Sequence, residues 1–239
     1  MRTCDVRSIR RPAVLLVAAL LVVAIVAVGV QRYGHRVVYS ITHRPYDAPV
    51  GAPRVAFLGD SYVEGSLQDS GRQSQWPDLV SRRMKWNQRD FAEGGSGYAV
   101  AGLRGHTIAD NARSVVAWKP QVVVVEGGLN DDSPAAMRAG LRRTLDRLWA
   151  GLPQADIVVL TNFVPGAPGR ADLAKKVVIE QVTAERDVAT VDVTGMLAAG
   201  GELIGSDRRH PTDEGHRLLA REIRPVLADA LDRQGSSGS

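Results

Sequence analysis

Val122-Val123-Val124-Val125, followed by Gly128-Leu129-Asn130-Asp131, carries the clearest fold signal in the chain. A short, unbroken apolar run bounded by a glycine-rich turn reads as a strand buried on both faces, as parallel sheets require. Val55-Ala56-Phe57-Leu58 reads the same way, and Asp156-Ile157-Val158-Val159-Leu160 and Thr190-Val191-Asp192-Val193 read as two more strands. Arg89-Asp90-Phe91-Ala92 is a weaker strand, placed by the pattern around it. Helical spacing predicts helices over Ser74 to Met84, Pro134 to Trp149, Ala171 to Arg186 and Asp213 to Leu231. Strand–helix alternation predicts an α/β fold: a mostly parallel five-stranded sheet between two helical layers. In such a three-layer sandwich, ligands sit beyond the carboxyl ends of the strands.

Three short motifs fall at those ends, and a fourth precedes the last helix. Gly59-Asp60-Ser61 follows the first strand and offers a hydroxyl. Gly94-Gly95-Ser96-Gly97 follows the second and offers backbone N–H groups. Gly128-Leu129-Asn130-Asp131 follows the third and offers a side-chain amide. Asp207-Arg208-Arg209-His210 offers an imidazole with a carboxylate three residues before it. A serine is a weak nucleophile until a base takes its proton, and the oxyanion formed on attack needs neutral donors aimed at it. Ser61, His210 and Asp207 therefore read as nucleophile, base and orienter. Ser61 and Gly94, through their N–H groups, and Asn130, through its amide, read as the oxyanion hole, with Gly95 an alternative to Gly94. Gly59 reads as the residue that lets the chain turn, Asp60 as a brace of that turn, and Asp131 and Asp132 as helix caps. His216 reads as a solvated or core-edge residue of the last helix, while His106 has no carboxylate at matching spacing.

The ordered set resembles the SGNH (GDSL) hydrolase family, whose name lists the Ser, Gly, Asn and His found here in that order. The resemblance covers about Arg54 to Leu231 and implies a flavodoxin-like strand order, 2-1-3-4-5. It departs from the family at Ala92, where the glycine block usually begins with asparagine.

Residues Ala13 to Val30 carry no charge, and as a helix they would reach about 27 Å, close to the hydrocarbon thickness of a bilayer. Arg2, Arg7, Arg10 and Arg11 precede them, which orients that end to the cytoplasm and the remainder outward. The expected organisation is a basic leader (1–12), a membrane signal anchor or cleaved signal peptide (13–30), a linker (31–53), the hydrolase domain (54–233) and a tail (234–239). The anchor is the preferred reading, because the run exceeds the usual length of a signal peptide's apolar region. The expected location is then the cell membrane with the domain outside, or the secreted fraction if the signal is cut.

The leader supplies +3 of the chain's +4, leaving +1 for residues 13–239, so the basic pI speaks for topology and against nucleic acid as a partner. Cys4, the only cysteine, lies in the leader and excludes an internal disulfide. No metal-ligand spacing and no phosphate-binding loop occurs, so neither a metal nor another cofactor is expected. The expected activity is hydrolysis of carboxylic esters through an acyl-enzyme, on a small-molecule, glycan or lipid ester. An O-acyltransferase on the same residues and a non-catalytic envelope-binding module are the rivals. Substrate and oligomeric state have no readable code.

Overall fold

A computed structural model of the chain describes residues 46–66 and 74–237. The leader, the apolar run and most of the linker lie outside the described residues. Among the described residues, no helix is long and apolar enough to cross a membrane.

Five strands form one sheet: β1 Arg54–Leu58, β2 Asn87–Asp90, β3 Val122–Val125, β4 Asp156–Leu160 and β5 Ala189–Val191. All pairings are parallel, in the order β2-β1-β3-β4-β5. β1, β3 and β4 are buried on both faces, which is why each reads as a continuous apolar run. β2 sits two residues earlier than its sequence reading and alternates exposed with half-buried positions. As an edge strand it has only one neighbour to cover it, so its side chains carry no apolar signature.

The helices are α1 Ser61–Glu64, α2 Trp76–Met84, α3 Ile108–Trp118, α4 Pro134–Gly151, α5 Arg170–Ala184 and α6 Asp213–Ser237. Val55, Phe57, Val122, Val124, Val158 and Leu160 pack on one face of the sheet with α1, α2 and α6. Ala56, Leu58, Val123, Val125, Ile157 and Val159 pack on the other with α3, α4 and α5. The alternation of those numbers is the period-two rule of a strand. The sequence reading has no counterpart to α3, although a cap marks its start. Thr107 Oγ1 accepts from the N–H of Asp110, and the Asp110 carboxylate accepts from the N–H of Thr107. The last helix continues past Leu231 to Ser237.

His216 is not solvated: it is fully buried in α6, and its Nδ1 accepts from the Trp76 N–H at 3.3 Å. Burial lowers its pKa to about 4, because a charged imidazole would lose its hydration. The unfolded chain takes up this proton at higher pH than the folded one, so the stability that neutral His216 supplies fades as pH drops from about 6.5 towards 4. His216→Gln keeps an acceptor that does not titrate. Denaturant unfolding at pH 7 and pH 4.5 should therefore show a pH-dependent loss of stability smaller by roughly 2 kcal/mol in the variant. Equal losses in both proteins would contradict the burial of a neutral imidazole.

Candidate active site

The strand order reverses at β1, between β2 and β3, and the sheet's ligand-binding edge lies beyond the carboxyl ends of the strands there. β1 delivers Ser61, the first residue of α1, and β3 delivers Asn130. Gly59 is absent from the positive-φ residues, so its role is space and not an unusual turn. A Cβ there would lie 2.7 Å from Val63 Cγ2 and 2.9 Å from Glu126 Oε2. Asp60 caps α1, accepting the Tyr62 N–H on Oδ1 at 2.9 Å.

The last motif arrives from 149 residues downstream. His210 Nε2 stands 2.9 Å from Ser61 Oγ, and His210 Nδ1 stands 2.5 Å from Asp207 Oδ2. Asp207 Oδ1 accepts the backbone N–H groups of Arg209 and His210 at 3.0 and 3.1 Å. Partial burial pushes the Asp207 carboxyl up, but these two amides and the His210 ring outweigh it and hold the group below the usual carboxylate range. The loop is drawn tight: the Gly205 N–H donates to the His210 carbonyl at 2.8 Å, and Arg208 adopts a left-handed φ of 56°. Tyr62 anchors it to α1 by donating its hydroxyl to the Arg209 carbonyl at 2.5 Å. The Tyr62 ring stacks on Phe163 with centroids 5.2 Å apart.

Asn130 is fixed from both ends. Its Oδ1 accepts from Arg209 Nη2 at 2.7 Å. Its Nδ2 donates to the Ser96 carbonyl at 2.8 Å and to Asp60 Oδ2 at 3.1 Å. A flipped amide would set oxygen against oxygen twice, so the orientation is determined. Asp131 does not cap a helix. It is buried and accepts the N–H groups of Tyr98 and Ala99 at 2.9 and 2.7 Å, which ties the glycine loop to β3. A Cβ on Gly97 would meet that carboxylate at 2.7 Å.

The three glycines differ in what their N–H groups do. Gly97 donates to the Val100 carbonyl at 2.8 Å. Gly94 donates to Glu64 Oε2 at 2.8 Å, while Arg104 holds the other oxygen of Glu64 at 2.8 Å. Gly95, at a φ of 77°, has no hydrogen-bond partner for its N–H among the described residues, and neither has Ser61. Ser61, Gly94, Gly95, Asn130 and His210 line one open cavity of about 340 Å³, with Ser66, Leu103 and Arg209 at its sides. Leu103 is 88% exposed there and places apolar surface at the rim. A larger hollow of about 720 Å³ between α2 and α6 holds none of these groups. His106 does have a carboxylate partner, Glu93 Oε2 at 3.0 Å, but the pair braces the loop after β2 and does not line this cavity. Among the described residues, no cluster of His, Cys, Asp and Glu is placed to hold a metal ion.

Residues 57–218 match the model of the GDSL-like Lipase/Acylhydrolase family. The GDSL lipase Rv0518 of Mycobacterium tuberculosis is 29% identical over 204 residues, covering 80% of this chain and 88% of the relative. A family two carbohydrate esterase from Cellvibrio japonicus shares the fold with a TM-score of 0.64 at 19% identity, over 78% of this chain and 64% of that one. A two-domain esterase active on acetylated mannans does so with a TM-score of 0.58 at 21% identity, over 75% of this chain and 50% of that one. At such identities the solved structures speak for the fold. The match over residues 57–218 reaches from the first strand to the last helix and takes in all four motifs, so the chain belongs to the GDSL-like lipase/acylhydrolase family of SGNH serine ester hydrolases.

Proposed function

We propose that Ser61, His210 and Asp207 form the catalytic triad and that the protein releases short acyl groups from carboxylic esters. The observation that carries this reading is the continuous chain from Ser61 Oγ through both ring nitrogens of His210 to Asp207, with contacts of 2.9 and 2.5 Å. His210 accepts the serine proton as Oγ attacks the ester carbonyl, and Asp207 holds the ring and stabilises the imidazolium. His210 then returns the proton to the leaving alcohol, and the acyl group stays on Ser61. Water, deprotonated by the same ring, releases the acid.

The oxyanion takes its hydrogen bonds from the Ser61 N–H, the Asn130 amide and one backbone N–H of the glycine loop. Gly95 supplies that last donor in the arrangement observed, since the Gly94 N–H already serves Glu64. Glu64 is then a clamp on the loop. Glu64→Ala should weaken folding by about 1–2 kcal/mol, roughly 2–8 °C in Tm, because two hydrogen bonds to a charged and partly exposed group are lost. Its kcat should change less than about threefold, or under ~0.7 kcal/mol. A tenfold rise in kcat would instead mean that the carboxylate competes for a donor at Gly94.

The small, open cavity supports a short acyl chain, with the alcohol portion facing solvent. The carbohydrate esterases that share the fold support an acylated glycan as the source of that chain. Exported from the cell on its N-terminal segment, or held by it at the membrane, the domain would meet such esters in the envelope. Across p-nitrophenyl esters from acetate to laurate, kcat/KM is expected to fall as the acyl chain lengthens. A maximum at long chains would place the enzyme on lipid esters. Product analysis with added alcohol separates hydrolysis from transfer, since a transferase would return the acylated alcohol.

A further inference from the structure

Beneath the Ser61–His210 contact, two carboxyl groups meet in the core. Asp60 caps α1, and Glu126 is the first residue after β3. Both are fully buried, and the Glu126 carboxyl lies against the Asp60 backbone, with Oε2 3.5 Å from the Asp60 N–H. Neither forms an ion pair with a Lys, Arg or His among the described residues. Two carboxyl groups this close, fully buried and without an ion-pair partner, do not both ionise, which leaves one proton on the pair.

The donors around the pair decide where that proton sits. Asp60 receives the Tyr62 N–H at 2.9 Å and the Asn130 Nδ2 at 3.1 Å, one on each oxygen, which favours its anion. The Glu126 carboxyl has only the long contact of Oε2 with the Asp60 N–H, at 3.5 Å, among the described residues. Its Oε1 is buried and meets no donor at all. A buried carboxyl oxygen that no donor faces is satisfied if it carries the proton and donates it. Among the surrounding charged groups, Arg209 and His210, from the loop before α6, also favour the anion at Asp60. Tyr62 and Tyr98 complete the titratable surroundings, with Asp131 behind Tyr98.

We propose that Glu126 is a protonated positioning residue. Its carboxylic O–H donates to the Asp60 carboxylate, and Asp60 in turn holds the Asn130 amide at the mouth of the site. Burial raises both groups, Asp60 to about 6 and Glu126 well above the carboxylate range, which agrees with the proton residing on Glu126. The arrangement also explains Gly59, since any side chain at that position would occupy the space of the Glu126 carboxyl. The effect on catalysis rests on the proposed role of Asn130; the protonation state does not.

Infrared spectroscopy of the full chain at neutral pH tests the protonation directly. The carbonyl band of a buried, protonated carboxylic acid is expected in the wild type and absent from Glu126→Gln. Kinetics test the positioning. Glu126→Leu removes the donor and should lower kcat about 10- to 100-fold with little change in KM, a fraction of what losing an oxyanion donor outright costs. Glu126→Gln restores an N–H donor and should recover most of that loss. Absence of the band in the wild type, or a Gln variant as impaired as the Leu variant, would overturn the proposal. Because the band is read without turnover, its presence in a protein whose Ser61 proved unreactive would overturn the triad and leave the buried proton standing.

Discussion

Ser61→Ala is expected to abolish all but a trace of ester hydrolysis, lowering kcat by about 10⁵–10⁶-fold, as loss of the nucleophile does in a triad acting as a unit. The residual rate comes from the oxyanion donors and from substrate binding, which the substitution leaves in place. KM should change little, because a single oxygen is removed from the cavity. Folding should be nearly unaffected: Ser61 is buried, but among the described residues its Oγ has His210 Nε2 as its one side-chain partner. Initial rates on an activated acetyl ester, read beside a thermal melt, separate chemistry from folding. Retention of more than about one hundredth of the wild-type kcat would mean that another group attacks the carbonyl, since a barrier change of under ~3 kcal/mol is too small for loss of the nucleophile.

Asn130→Ala is expected to lower kcat by about 10²–10³-fold, the usual consequence of losing one oxyanion donor. Both amide hydrogens are already engaged, by the Ser96 carbonyl and Asp60 Oδ2. In the proposed role, one of these bonds would be shared with the arriving oxyanion in a three-centre arrangement. The same bonds hold the amide rigid. They also mean that removing it has a structural effect, since Asp60 Oδ2 loses a donor and Arg209 loses its acceptor. A loss of about 1–3 kcal/mol in stability should accompany the loss of rate. Measurement well below the variant's Tm distinguishes the two: a kcat that recovers fully at low temperature would assign Asn130 to folding alone.

How much of this was legible in the sequence follows from where each signal comes from. β1, β3 and β4 could be read because burial on both faces removes polar residues from the strand, leaving runs such as Val122 to Val125. β2 was displaced by two residues because an edge strand with sequence Asn-Gln-Arg-Asp carries no such signal. α3 has no counterpart in the sequence reading although it carries both signals, a Thr107–Asp110 capping box and a short buried stripe of Ile108, Ala112 and Val115. Ser61, Asn130, Asp207 and His210 could be read because each lies in a short block of fixed order. Their convergence could not be, since Ser61 and His210 are 149 residues apart and only the closed sheet brings them together.

The residues that hold the site were the harder part. Glu64, Tyr62 and Glu126 act through contacts that no local spacing encodes. Glu126 did leave one trace: a charged residue placed directly after four buried valines contradicts the pattern around it. Such a conflict between local chemistry and burial is expected at functional or strained positions. The choice between Gly94 and Gly95 was open for a different reason. It depends on which N–H another side chain has already taken, and that side chain is Glu64.

The proposed chemistry stands on Ser61 being an activated nucleophile. The most direct measurement is labelling of the full chain by a fluorophosphonate, with the modified peptide identified by mass spectrometry. A single covalent adduct on Ser61 is expected, absent from Ser61→Ala and strongly slowed in His210→Ala. A folded wild-type protein that took no label, or that took it on another residue, would contradict it.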